Sequence, residues 1–213
     1  MSMSSRYLIP ILVLLLSIGV SLDASAVRKR TPKATPEWSA MSRGEHIAYL
    51  SLSPQTKPLI REYMQRETAR FRSVCSEGVS TMRDSLIIKV ELPISRFFTA
   101  NDTIINSDGN KLLKSLLPPT RNDDYRVLVA VHTSNVGTPS YISYLSQVRA
   151  DAIAGKLSAQ AGGDAVIVSY GIGDKEPIAK NTSYQGRNSN RRVEILFIPS
   201  DELVSRLTNQ KKK

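Results

Sequence analysis

Hydrophobic positions along this chain change their period several times, and each change marks an element. Between residues 38 and 75 the apolar side chains Leu59, Ile60, Tyr63, Met64, Phe71, Val74 and Cys75 recur at spacings of three and four, with Arg and Glu between them. That period predicts an amphipathic helix. Pro58 suits its first turn, and Glu62 stands four residues ahead of Arg66, the favourable orientation for a helical ion pair. Residues 85–92 (SLIIKVEL) read as a strand stopped by Pro93. A helix capped by Asn106 or Ser107 carries Leu112, Leu113, Leu116 and Leu117, and Pro118-Pro119 ends it. Residues 125–131 (YRVLVAV) are almost wholly apolar, as in a central strand covered on both faces. A long helix over 139–161 places Ile142, Leu145, Val148, Ala152, Ile153 and Leu157 on one face before Gly162-Gly163. Strands over 165–170 and 192–198 and a short helix over 201–207 follow. The order predicts an α+β fold: a two-layer β-α-β-α-β-β sandwich preceded by an N-terminal helical extension.

The amino terminus follows different rules. Arg6 leads into an apolar run over 7–16, and Ala24-Ser25-Ala26 comes after it. A basic start, an apolar core and small residues at a cleavage site make a signal-peptide layout. The run is short for a membrane span, which needs about 20 apolar residues. Residues 27–37 (VRKRTPKATPE) are basic, hold two prolines and lack periodicity, the marks of a linker. The expected organisation is therefore a signal peptide at 1–26, a basic linker at 27–37, a helical extension at 38–83, the sandwich at 84–200, and a C-terminal helix with a basic tail at 201–213. The expected location is the periplasm.

Composition adds two constraints. The chain has 213 residues and a formal net charge of +10, which favours anionic partners such as an acidic polymer or lipid headgroups. Its basic tails offer a peripheral contact to an anionic membrane. Cys75 is the only cysteine, so no intramolecular disulfide can form, and no cysteine stands where a lipid anchor would attach. On its helical pattern Cys75 reads as a small buried hydrophobe.

The most unusual stretch is 170–198, YGIGDKEPIAKNTSYQGRNSNRRVEILFI, a long polar segment with Arg187, Arg191 and Arg192 within six residues, opening into a buried strand. Long loops in compact domains commonly carry function. Within it, Pro177-Ile178-Ala179, Asn181, Gly186-Arg187 and Asn190-Arg191-Arg192-Val193-Glu194 occur in order. Together with 97–116 (FFTANDTIINSDGNKLLKSL), 131–137 (VHTSNVG) and 144–157 (YLSQVRADAIAGKL), this segment resembles the OmpA-like, peptidoglycan-associated domain family over roughly residues 84–200.

That resemblance implies a non-catalytic role: holding the cell wall through the diaminopimelate side chain of the stem peptide, without a cofactor or metal. The implied cation is Arg149, in the place of the arginine of the family's Leu-Ser-x-x-Arg-Ala helix. A guanidinium grips a carboxylate bidentately, which suits arginine better than lysine. The implied ligand-binding set adds Thr133, Ser134 and Asn135 from one segment and Asn181 and Arg191 from the loop. Two positions depart from the family pattern. Ser134 stands where members carry an aspartate after His-Thr, and Ile142 where they carry a polar asparagine. A serine accepts a hydrogen bond from an ammonium without neutralising it. A charge-assisted bond contributes roughly 1.5–3 kcal/mol, on the order of ten- to a hundredfold in affinity. A second reading is therefore a chain that keeps the fold, has lost wall binding, and serves as a structural part of an envelope protein complex through a protein-facing surface such as 38–75.

Other functions find little support. His46 and His132 are distant in sequence, and no His/Cys/Asp cluster has metal-ligand spacing. His132 beside Thr133 and Ser134 lacks a third group to orient it for nucleophilic chemistry. Gly171-Ile172-Gly173 is too short for a phosphate loop. The export layout and the lack of an aromatic-basic platform argue against nucleic acid.

Overall fold

The computed structural model describes residues 37–117, 123–161 and 165–210. The expected signal segment, the linker up to residue 36, the helix-ending Pro118-Pro119 and Gly162-Gly163, and the lysine tail lie outside the described residues. Strands β1 (Val79–Met82), β2 (Ile87–Pro93), β3 (Tyr125–His132), β4 (Ile167–Gly173) and β5 (Arg192–Pro199) form one five-stranded sheet in the order β1-β2-β5-β3-β4. β3 and β4 are parallel, and the other pairs are antiparallel. The helices are α1 (Arg43–Tyr49), α2 (Lys57–Val74), α3 (Ser107–Leu116), α4 (Pro139–Ala161), α5 (Tyr184–Asn190) and α6 (Asp201–Gln210). The α+β class and the core order of elements agree with the sequence pattern. Two elements do not. β1 falls within the segment expected to be helical, and α5 falls within the segment expected to be loop.

Because successive strand residues point to opposite faces, the register sorts the sheet's side chains. Tyr125, Val127, Val129 and Val131 of β3 share a face with Val193, Ile195 and Phe197 of β5. This face meets α2: the Phe71 ring lies 4.4 Å from Phe197 and 6.4 Å from Tyr125. Such aromatic pairs add about 0.5–1.5 kcal/mol beyond area burial. Further along, Gly171 of β4 lies so close to α4 that a Cβ would sit 2.5 Å from the Gln147 backbone nitrogen. Only glycine allows that approach.

The opposite face is not left to solvent. Every residue of β3 and β5 is buried, because the segment of α1 and the 3-10 turn Trp38–Ala40 lies across it. Arg126, at the second position of the apolar strand, points there. Its guanidinium lies against both Trp38 (4.4 Å) and Tyr49 (4.7 Å), whose rings meet edge to face at 4.9 Å. It is 2% exposed, and its three nitrogens have no hydrogen-bond partner among the described residues. Tyr170 donates to the Met41 carbonyl at 2.8 Å, and burial raises its phenol pKa to about 12. Arg43 of α1 donates to Glu194 of β5 at 2.6 Å and also pairs with Glu176.

Local signals explain most of the helix ends. Ser42 and Glu45 make a reciprocal capping box for α1, and Asn106 caps α3 by accepting from Gly109 N–H at 2.7 Å. Cys75 is buried and free, and Arg66 pairs with Glu62 at 2.8 Å. Between β1 and β2 the chain turns through three consecutive left-handed residues, Arg83, Asp84 and Ser85 (φ 49°, 60° and 62°). Asp84 anchors the turn through Lys57 and Arg61 of α2 at 2.9 and 3.2 Å.

Two stability predictions follow from charge and strain. A left-handed L-residue costs about 1–2 kcal/mol, partly offset in glycine by unfolded-state entropy. Ser85→Gly should therefore raise stability by about 0.5–1 kcal/mol in urea denaturation, and a fall in stability would contradict strain at this turn. Arg126 carries a buried charge without a hydrogen bond among the described residues, and apolar replacements of buried charge are often neutral or stabilising. In urea denaturation Arg126→Met should leave stability unchanged or raise it by about 1 kcal/mol, whereas a loss above about 2 kcal/mol would show that the aromatic contacts outweigh desolvation.

Candidate functional site

A cleft of about 450 Å³ opens beyond the carboxyl end of β3, the position where open α/β sheets commonly hold ligands. Its walls come from the chain after β2 (Phe98, Thr99), the chain after β3 (Thr133, Ser134), the first half of α4 (Ile142, Arg149), and Asn188 and Arg191.

Arg149 is the most constrained of these. It is 5% exposed. Nε donates to the Asp102 carbonyl at 2.7 Å and Nη2 to the Thr99 carbonyl at 3.3 Å, while the guanidinium lies 5.1 Å from the Phe98 ring centre. Burial lowers its pKa from the ordinary arginine value, and Tyr141 and Asp102 oppose that shift. An arginine remains protonated in a protein all the same. Nη1 has no partner among the described residues. The loop that accepts from Arg149 is itself folded by Asp102, whose carboxylate takes the Ile104 and Thr103 N–H groups at 2.9 and 2.7 Å and the Thr99 hydroxyl at 3.1 Å. These bonds lower the Asp102 pKa.

Across the cleft, Arg191 directs Nη1 toward Ser134 Oγ at 3.5 Å, a long contact, and Nη2 to the Asn188 side-chain oxygen. Thr133 is held by its N–H on the Gly173 carbonyl at 2.8 Å, and its hydroxyl donates to the Ser134 carbonyl. The cleft thus contains two guanidiniums and no aspartate or glutamate side chain among the described residues that line it.

Four of the six expected ligand residues, Arg149, Thr133, Ser134 and Arg191, line this one cleft. The other two do not. Asn135 is exposed and outside the lining. The Asn181 side-chain oxygen accepts from Asn190 at 2.9 Å, and its carbonyl accepts from Arg187 at 3.0 Å, so it serves the loop's own packing. Fully buried Asn190 locks that loop by accepting from Ile178 and Ala179 N–H and donating to the Ala179 carbonyl. Phe98, Tyr141, Tyr184 and Asn188 were not foreseen. Tyr141 shares α4 with Arg149, and Tyr184 and Asn188 share the segment that ends at Arg191, but no local spacing marks them.

Arg192 points away from the cleft into the second face of the sheet. Its Nε and Nη2 donate to Glu194 Oε1 at 3.0 and 2.8 Å. His132 Nε2 lies 3.5 Å from the same oxygen without a hydrogen bond of good geometry. Burial pushes the Glu194 pKa upward, but His132 and Arg192 together overcome it and hold the carboxyl well below the usual range. Among the described residues no group of three His, Cys, Asp or Glu side chains is placed to hold a metal ion.

Fold and cleft together define an α+β domain presenting two cations in a recess whose described lining holds no acidic side chain. Residues 97–191 match the OmpA family, and the chain carries an OmpA-family domain. It is 32% identical over 113 residues to outer membrane protein A of Bordetella avium, covering 53% of this chain and 58% of that protein. The chain therefore spans little more than half the length of that curated relative. Among solved structures, a MotB-like protein from Desulfovibrio vulgaris superposes with a TM-score of 0.57 at 19% identity, covering 68% of this chain and 99% of that one. The cell wall anchor of the T6SS from Pseudomonas aeruginosa superposes with a TM-score of 0.51 at 27% identity, covering 62% of this chain and 97% of that one.

The Glu194 cluster sets a pH-dependent stability. A depressed folded-state pKa means the folded form binds fewer protons, so its stabilising contribution is complete above the unfolded carboxyl pKa of about 4.3. Stability should fall as pH drops below that value. Glu194→Gln should flatten this acid limb and cost about 3 kcal/mol at pH 7, since it leaves Arg192 buried with its carboxylate removed. Urea denaturation at pH 3 and pH 7 measures both effects, and an unchanged acid limb would contradict the assignment.

Proposed function

We propose that this chain is a non-catalytic module of the periplasm that attaches an envelope assembly to peptidoglycan, with Arg149 gripping a stem-peptide carboxylate. The single observation behind this reading is the guanidinium of Arg149. Its Nε and Nη2 hold the cleft wall, while Nη1 is left without a protein partner at a recess faced by Arg191. A carboxylate placed there would take a charge-assisted bond from each arginine. Relatives named for wall binding or anchoring support the setting, among them a peptidoglycan-associated lipoprotein of Buchnera aphidicola and the cell wall anchor named above. The ligand proposed is the diaminopimelate side chain, with Thr133 and Ser134 assisting. No helix of the described residues is long and apolar enough to cross a membrane, so attachment to the envelope through this region would rest on binding.

One observation favours the second reading, in which the domain has become a structural part of an envelope complex. Ser134 is neutral, and the cleft offers an ammonium no countercharge. Retention on purified sacculi separates the two. Native protein should be retained, and Arg149→Ala should weaken retention at least about tenfold, in line with loss of a charge-assisted bond. Native protein that fails to be retained would favour the structural reading. Equal retention of both proteins would remove Arg149 from the site.

A further inference from the structure

The same cleft carries information about which carboxylate it takes, and this step rests on the wall-binding reading. An amino acid with a free amine presents an ammonium and a carboxylate on one carbon. If the carboxylate lies between Arg149 and Arg191, the ammonium is held a few ångströms from two guanidiniums. None of the described lining residues carries a carboxylate to balance it. Asn188 already gives its side-chain oxygen to Arg191 in a hydrogen bond, whereas Ser134, 4% exposed, offers an Oγ that takes only a long contact from Arg191. The charge of Asp102 is not a substitute. Its carboxylate lies outside the lining and is occupied by Ile104, Thr103 and Thr99, and only its carbonyl turns to Arg149.

An amide nitrogen in the ammonium's place changes the balance. It carries no charge for the arginines to repel, and its single N–H suits one neutral acceptor such as a serine hydroxyl. It also brings an uncharged acyl substituent that needs a surface to cover. The rim supplies one. Val136, Tyr141 and Tyr184 border the cleft and are 63%, 42% and 72% exposed, among the most exposed large hydrophobic side chains described. An exposed valine and two exposed tyrosines on one cleft fit an acyl chain better than they fit the hydration shell of an ammonium.

We propose that the cleft selects N-acylated amino-acid carboxylates over free amino acids, so that in the wall it takes diaminopimelate whose distal amine is already in amide linkage, as at a peptide cross-link. Arg149 and Arg191 hold the carboxylate, Ser134 Oγ accepts the amide N–H, and the Val136–Tyr141–Tyr184 rim covers the acyl group.

The test titrates the full chain, by calorimetry, with two soluble stem tripeptides ending in diaminopimelate, every carboxyl but the distal one being blocked as its amide. One has its distal amine free and the other has that amine acetylated. The acetylated peptide should bind at least about tenfold tighter, and Ser134→Asp should reverse the order by supplying the missing countercharge. Tighter or equal binding of the free-amine peptide, with native protein still retained on sacculi, overturns the acyl selectivity while leaving wall binding intact. Failure to bind either peptide or sacculi overturns both. A Ser134→Asp protein that folds, as judged by its urea transition, yet keeps the native preference removes Ser134 from the discrimination.

Discussion

A carboxylate buried between two arginines organises much of this domain. Glu194 stands in the central strand of the sheet, paired to β2 and β3 at once, with Arg192 from its own strand and Arg43 from α1 on its two oxygens. Desolvating three charges is expensive, and their attraction offsets it only when the geometry is good and the remaining donors are used. Here they are used: Arg192 reaches the Glu176 carbonyl at 3.3 Å and Arg43 reaches the Glu176 side chain. One ionic cluster therefore fastens three things together, namely the centre of the sheet, the helix across its second face, and the start of the 174–190 segment. It also settles the division between two adjacent arginines. With Arg192 committed to the sheet, Arg191 remains at the end of α5 and lines the cleft.

Arg149 solves a related problem differently. Its guanidinium bonds two backbone carbonyls and lies by an aromatic face, and the Asp102 carboxylate acts on it only through its field, without a hydrogen bond. Carbonyl dipoles stabilise a guanidinium without cancelling its charge, so the cation stays available to a ligand. The same holds for Arg191, whose side-chain partners are the neutral Asn188 and Ser134. A recess whose direct side-chain partners are neutral keeps two cations facing a ligand. That is a physical requirement for recognising an anion in competition with water.

Much of this fold is legible in the sequence because burial imposes periodicity. The leucines of α3, the stripe on α2 and the apolar run of β3 each reflect one or two covered faces. The misses have physical causes. Val79–Met82 is a short edge strand with no fully buried residue, so it lacks the alternation that would mark it. Helix α5 (YQGRNSN) has no apolar stripe. It depends on Ser183, which accepts from Gly186 N–H at 3.0 Å, and on Gly186, whose missing Cβ would fall 2.0 Å from the Lys180 carbonyl. Arg126 is hidden inside YRVLVAV because its partners, Trp38 and Tyr49, lie more than seventy residues earlier. At the site, arginine, threonine and serine positions carried by motifs converge as expected. Asn181 does not, because a buried asparagine network outcompetes the cleft for its oxygen.

The position of Ser134 ties these strands of argument together. An aspartate there would stand beside Arg191, whose Nη1 already lies 3.5 Å from the serine hydroxyl, and would spend part of that arginine's charge within the protein. Serine leaves both cations unspent. The cleft gains pull on a carboxylate and loses its answer to an ammonium in the same substitution. Affinity and selectivity are thus coupled through one side chain: the stronger the recess attracts an isolated negative charge, the less it tolerates a positive one attached to it. The Val136, Tyr141 and Tyr184 side chains on the same cleft are uncharged, which suits a ligand whose nitrogen carries no charge.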